Sequence, residues 1–321
     1  MRQRHLDSAA GILILYMMMG HAFQLAGMTT NRVYHFFNFL FFFMSWFFFK
    51  SGAFLKELSY KKSFAKSVLK LIIPYIIFSY IGFTIDSLYK IMIIHDYQLI
   101  HYTLYPIKLI IMRGSLAGNL PLWFLLTLFL CQNIYLVMRT VIKNRYVIAA
   151  ISLCIGCLLS RISFIHIPFW IGNTFLAVFF YSIGSILKTF QYKKQVFFLS
   201  LIGYIVIYVM CMEIVDFRTN RSTSWEGYLL WSLWSICGII VLNNFTKYMP
   251  HINLLSLVGA NSMAFFLMHW PLMLFMSFVC NLLAVDFGWQ RFLIILSSIL
   301  FIPLLNKVII SKCPQCIGLK R

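Results

Sequence analysis

Long apolar runs recur along the whole chain, separated by short stretches that carry most of its charged residues. A helix that crosses about 30 Å of hydrocarbon needs roughly 17 to 25 mostly apolar residues, and runs of that size predict about ten helices. The expected bounds are 8–26, 36–55, 68–89, 119–139, 146–163, 168–188, 195–214, 227–244, 257–280 and 289–310. The longest connection, 90–118, contains IMIIHDYQLIHYTLYPIKLIIMRG, which is too polar for a span and reads as interfacial or re-entrant. There is no internal repeat and no low-complexity tract. The pattern is that of an all-α polytopic membrane protein forming one domain, 1–321, embedded in the lipid bilayer without a separate soluble part.

Composition strengthens this reading: 61% of the 321 residues are hydrophobic and only 11% are charged, far from a soluble domain. A net charge of +19 raises nucleic acid as a partner, but the basic residues are dispersed over short loops with no single patch, so nucleic acid is not expected. Their distribution is topological instead. On the side of the N-terminus lie Arg2, Arg4, Lys50, Lys56, Lys61, Lys62, Lys66, Lys70, Arg139, Lys143, Arg145, Lys188, Lys193, Lys194, Lys247, Lys307, Lys312, Lys320 and Arg321. The other side holds only Arg32, Lys90, Lys108, Arg113, Arg161, Arg218, Arg221 and Arg291. Positive loops stay cytoplasmic, so both termini are expected inside, in a multi-pass protein of the inner (plasma) membrane. MRQRHLDSAAG lacks a small-residue cleavage site, and the first helix is read as retained.

The cysteines fall mostly within apolar runs, where a free thiol behaves as a small hydrophobe, so no disulfide framework is expected. Cys313 and Cys316 in KCPQC have metal-ligand spacing, but a closed zinc site needs four ligands and no second pair accompanies them; no metal is expected.

Ionisable groups inside spans are costly and mark a site facing the bundle interior. In HLDSAAGILILYMMMGHAFQ, His21 lies about 20 Å along its helix, and Asp7 and Ala10 point within roughly 40° of its direction. One reading is a neutral histidine hydrogen-bonded to a neighbouring helix; the other is a reaction centre. A second buried histidine favours the site. In VGANSMAFFLMHWPLMLF, His269 shares a face with Ser262, and Pro271 frees a backbone carbonyl one turn back. Lys50 in FFFMSWFFFKSGAFL is near enough to a helix end to snorkel to the interface. The remaining histidines, His5, His35, His95, His101, His166 and His251, read as solvated. Trp225, Trp231, Trp234 and Trp289 read as interfacial, and Phe36 to Phe49 as lipid-facing and packing surface. The loop carrying Glu213, Asp216, Arg218 and Arg221 reads as solvated more readily than as an outer substrate mouth. No Gly-rich phosphate loop, nucleophile elbow or zinc-protease helix is present.

Taken together, RHLDSAAGILILYMMMGHA, FFFKSGAFL, KLIIPYIIF, PLWFLLTLFL, YSIGSILK and SMAFFLMHWPL resemble the acyltransferase-3 family across essentially the whole chain. The resemblance implies about ten helices, acyl-CoA (acetyl-CoA or another) as cytoplasmic donor, and the first-helix histidine, here His21, as the essential catalytic group. It also implies an Arg or Lys eleven residues before that histidine to help bind the donor. Here that residue is Ala10. Lys50, at a position more often apolar in the family, is the candidate substitute cation, with Arg4 and Ser51 as further donor-binding candidates.

Acyl transfer to a hydroxyl requires a base and donors for the oxyanion. His21 suits the base. Asp7 is too distant for a direct bond to it and is expected to orient the helix entrance, while His269, Ser262 or Trp123 line the acceptor side. The expected reaction is O-acylation of a surface polysaccharide or lipid-linked glycan. The alternatives are a transporter of a glycolipid, organic acid or protons, or an inactive relative; against transport, no paired repeats or matched broken helices are visible.

Overall fold

The computed structural model describes residues 4–25, 37–56, 59–162, 168–188, 192–210 and 214–319. Helix makes up 84% of the described residues. The described residues contain no strand, only an isolated bridge between Asp216 and Arg221. In chain order the α-helices are α1 (Arg4–Leu25), α2 (Phe43–Ala53), α3 (Tyr60–Ser67), α4 (Ile73–Tyr89), α5 (Leu99–Arg113), α6 (Trp123–Val141), α7 (Arg145–Arg161), α8 (Phe169–Leu187), α9 (Lys194–Met210), α10 (Trp225–Tyr248), α11 (Asn253–Ala260), α12 (Ser262–Leu282) and α13 (Phe287–Lys312). A π-helical stretch, Val68–Ile72, joins α3 to α4.

Among the described residues, 7 helices are long and apolar enough to span a membrane: Arg4–Leu25, Tyr60–Met92, Leu120–Val141, Trp170–Leu187, Trp225–Tyr248, Ser262–Leu282 and Gly288–Lys312. Of the segments expected at 36–55, 146–163 and 195–214, the described residues contain α2, α7 and α9, with 11, 17 and 17 residues. Local signals set several helix starts. The side chains of Asn144, Ser224 and Asp286 accept from the amides of Tyr146, Gly227 and Gly288 and so cap α7, α10 and α13, satisfying amides that a helix leaves unpaired. Helix α5 occupies the expected interfacial segment. It stops at Gly114, which takes a left-handed conformation at φ 65°, and Ile100, Leu104, Ile107 and Ile111 on it are exposed.

The chain forms two compact units. The first comprises residues up to Ala9, Phe39–Ser67 and Thr127–His251. Within it α8 packs on both α2 and α7, and α9 packs on α10. The α2–α8 contact is backbone against backbone: a Cβ at Gly52 would overlap the Tyr181 carbonyl, and one at Gly184 would overlap that of Phe49. Small residues allow such approach where lipid supplies no hydrophobic drive between helices. Aromatic rings fill the rest. Trp231 and Trp234 are 1% and 3% exposed, not interfacial as expected: Trp234 stacks on Tyr204 and meets Phe42 edge-on, and Trp231 meets Phe180. Trp234 is covered by α9 and the start of α2, and Trp231 by α8 and by Phe217 of the loop after α9. Trp225 and Trp289 are exposed. The loop after α9 is anchored more firmly than a solvated loop: Phe217 stacks on Phe48 at 5.0 Å, and Asn220 Nδ2 donates to the Gly156 carbonyl at 2.9 Å.

The second unit comprises Ala10–Asn38, Val68–Leu126 and Ile252–Arg321. Here α12 packs on α4 and α13. Asn306 Nδ2 donates to Asn261 Oδ1 at 2.7 Å, and Gln290 Nε2 to Asn281 Oδ1 at 3.0 Å. These amides tie α13 to the two ends of α12.

Candidate active site

Within the second unit, the later turns of α1 bring His21 against α12. Its ring stacks on that of His269, with centroids 5.4 Å apart and planes 24° from parallel. Trp270 meets it edge-on at 4.9 Å. His21 is half-buried and His269 is fully buried.

His269 is held by its own helix. Its Nδ1 lies 2.7 Å from the Phe265 carbonyl and 3.1 Å from that of Phe266. Carbonyls only accept, so Nδ1 carries the proton in the neutral ring and Nε2 presents a lone pair. Nε2 is buried and has no hydrogen-bond partner among the described residues.

Two residues further along α12, Pro271 has no amide to give the Leu267 carbonyl. Asn119 supplies the missing donor: its Nδ2 donates to Leu267 O at 3.0 Å and to Phe78 O on α4 at 3.2 Å. Asn119 is fully buried, and its Oδ1 has no partner among the described residues. It reaches this position because Gly118, at φ 81°, rests directly against the backbone of Gly82 on α4, where a Cβ would overlap. The site thus combines two imidazoles, an indole edge and a helix whose hydrogen-bond ladder lacks one donor at Pro271 and is secured there by an amide. It can take up a proton, and it offers acceptor atoms to a bound hydroxyl.

The acyltransferase-3 family model, described as an acyltransferase domain, matches residues 5–307. The chain belongs to the acyltransferase-3 family. No curated protein and no solved structure matches it. Family and apolar helices together make this acyltransferase-3 chain a multi-pass membrane protein.

The other candidates are distributed between the units. In the second, Trp123 at the start of α6 is buried and meets Phe124 edge-on; Phe124 packs on Phe266, whose ring is 6.0 Å from His269. Ser262 opens α12, half-buried and two turns before His269, about 10 Å away along the axis at 1.5 Å per residue. It is not brought to the histidine pair. Ala10 is fully buried.

Asp7 and Arg4 belong to the stretch of α1 in the first unit, half-buried and exposed respectively. Lys50 lies in the first unit on α2, with its Nζ 5.0 Å from the centroid of the Trp46 ring. Trp46 is itself fixed by Nε1 donating to Asn243 Oδ1 at 2.8 Å. This is cation–π geometry. Ser51 beside it is half-buried.

His95, His101 and His251 are exposed, but His5 is half-buried with Nε2 shielded from solvent. His35, His166 and Glu213 lie outside the described residues. Among the described residues no group of three or more His, Cys, Asp or Glu side chains could hold a metal, and the described cysteines are free thiols.

Sequence reasoning missed Asn119 and the contact of Trp270 with His21. The available signal was the pair Gly118–Asn119 just before PLW, together with a carbonyl that Pro271 leaves in need of a donor.

Proposed function

We propose that this protein is a membrane O-acyltransferase that moves an acyl group, most simply acetyl, from cytoplasmic acyl-CoA to a hydroxyl of a surface polysaccharide or lipid-linked glycan. The observation that carries the proposal is the His21–His269 contact, a half-buried and a fully buried imidazole on separate helices of one unit in a chain of acyltransferase family. The proposal includes ten spans with both termini cytoplasmic in the plasma membrane, a single acyltransferase domain and no metal.

In this reading His21 takes the proton of the acceptor hydroxyl as its oxygen attacks the thioester carbonyl. The tetrahedral oxyanion collapses, the carbon–sulfur bond breaks, and the CoA thiolate leaves with the proton from the His21 imidazolium. The lone pair on His269 Nε2 accepts a hydrogen bond from the acceptor, and Trp270 holds the His21 ring in position. Asp7 and Arg4 orient the donor entrance, Ser262 and Trp123 border the acceptor path, and Lys50 with Ser51 takes the donor-binding part that Ala10 lacks.

The test is transfer of radiolabelled acetyl from acetyl-CoA by purified protein, with surface-glycan mass spectrometry from cells with and without the gene. His21→Ala is expected to lower the rate about 10²- to 10⁴-fold, the usual worth of a positioned base. Proton-dependent flux without acyl transfer would replace this reading with a transporter. Lys50→Ala is expected to raise KM for acetyl-CoA while Lys66→Ala leaves it near wild type; the reverse order refutes the part given to Lys50.

A further inference from the structure

The first unit contains a second site that the acyl-transfer reading does not use. A cavity of about 250 Å³ opens where α2 ends, α3 begins, and α6 gives way to α7, lined by Lys56, Tyr60, Tyr135, Arg139, Thr140 and Arg145. Three cations from separate chain segments converge on it, and among the described residues none of its lining side chains is acidic.

The hydrogen bonds show what remains for a ligand. Ser185 Oγ donates to the Ser182 carbonyl at 2.9 Å, so Tyr135, whose hydroxyl lies 2.7 Å from Ser185 Oγ, must donate to it. Thr140 Oγ1 donates to Val137 O at 2.7 Å. The hydroxyl hydrogens at the floor and wall are therefore committed. Arg139 donates to the Lys143 carbonyl, and Arg145 Nη1 to the Ser185 carbonyl at 2.7 Å. These bonds fix the guanidiniums against helix ends. A guanidinium has five N–H groups in a planar fork, so Arg139 retains donors for an anion, and the ammonium of Lys56 brings three more. Topological lysines need only lie in a loop. Lys143, in the same connection and exposed, does that and does not line the cavity.

We infer that this cavity is a binding site for a phosphate group. Planar guanidinium forks and an ammonium in a partly enclosed space match a phosphate monoester or diester. The volume lies below the roughly 300 to 1,000 Å³ of pockets that enclose drug-sized ligands, so the cavity holds the phosphate and its immediate neighbours while the rest of the ligand stays outside. Tyr60 at the rim is 46% exposed and Phe54 nearby in sequence is 52% exposed, side chains suited to the headgroup level. Two sources carry this chemistry, an anionic phospholipid headgroup and the nucleotide end of an acyl-CoA. The inference holds whether or not the protein transfers acyl groups.

The test measures direct binding to purified full-length protein in non-ionic detergent. The probes are dioctanoyl phosphatidylglycerol, adenosine 3′,5′-bisphosphate, and dioctanoylglycerol as the lipid without phosphate. At least one phosphate probe is expected to bind saturably, with affinity falling about tenfold or more in Arg139→Gln and in Lys56→Gln. Lys143→Gln, which removes the same charge from the same end of the helices, should stay within about twofold. Lys56 is exposed, so its variant does not put folding at risk. Saturation by the lipid alone assigns the headgroup source, by the bisphosphate alone the nucleotide source, and by both a shared phosphate site. The inference is overturned if neither phosphate probe saturates, if dioctanoylglycerol binds as tightly as the phospholipid, or if Lys143→Gln weakens binding as much as the two pocket variants.

Discussion

The α2–α8 contact of the first unit and the surroundings of α12 in the second solve the same problem by opposite means. Between α2 and α8, Gly52 and Gly184 remove side chains so that each backbone rests on the other helix. Around α12, a side chain is added: Asn119 reaches two carbonyls on different helices, one of them released by Pro271. The first contact depends on volume alone and is indifferent to chemistry. The second depends on a donor count, and beside it lie the buried Nε2 of His269 and Oδ1 of Asn119, acceptors that the described protein groups leave open. A glycine seam suffices where helices only need to stay together. A polar framework is worth its desolvation where a buried helix loses a backbone donor and must still be held in one position, as α12 is next to His21.

Adding volume to the glycine seam should have the largest effect. Gly52→Leu forces backbone apart along α2 and α8, and because overpacking a tight site costs about 1 to 3 kcal/mol and sometimes more, a loss at or above the top of that range is expected. Thermal unfolding in detergent measures it. Gly20→Ala is the control: among the described residues a Cβ there meets nothing within 4 Å, so replacing a helical glycine should be neutral or stabilising by up to about 1 kcal/mol. Equal melting temperatures for wild type and Gly52→Leu would remove the steric half of the comparison.

Breaking the polar framework should cost less but reveal more. Asn119→Ala leaves the buried carbonyls of Leu267 and Phe78 without this donor, an expected loss of about 1 to 3 kcal/mol. Pro271→Ala returns an amide to Leu267 O. The two substitutions should therefore couple, with Asn119→Ala less harmful in the Pro271→Ala background, by an interaction energy of about 0.5 to 1.5 kcal/mol. Strict additivity in the double-mutant cycle would show that the amide does not substitute for the missing backbone donor.

The contrast also explains which parts of the molecule could be read in advance. Helices were legible because burying a backbone in lipid demands them wherever apolar runs are long enough. His21 and His269 stood out as ionisable groups in those runs, and the carbonyl freed by Pro271 was legible from proline chemistry. Its partner was not. Asn119 lies 148 residues from Leu267 and looks like the first residue of an ordinary helix, so its task exists only once α4 and α12 have packed. Trp231 and Trp234 were misassigned for a related reason: a tryptophan near a span end fits an interfacial belt equally well until a neighbouring helix covers it. Helix ends were less legible: among the described residues α2, α7 and α9 run for 11, 17 and 17 residues, bounds that hydropathy averaged over loosely bounded runs does not fix.

A third kind of contact, neither steric nor buried, lies in the connection before α5 and should give the smallest effect. His101 Nδ1 is 2.9 Å from Asp96 Oδ2, and the Gln98 amide donates to Asp96 Oδ1 at 3.1 Å. The hydrogen bond from His101, followed by that from Gln98, lowers the Asp96 carboxyl below the usual carboxylate range. A carboxyl whose folded value is depressed adds stability that is fully present above its ordinary value of about 3.9 and is lost as pH falls through the lowered one. Asp96 is solvent-screened, so the gain is small. Wild type should therefore melt slightly above Asp96→Asn near neutral pH, with the gap unchanged down to about pH 5 and closing below about pH 4. A gap that persists undiminished into strong acid would mean that Asp96 acts through shape and not charge, which would place this turn with the glycine seam.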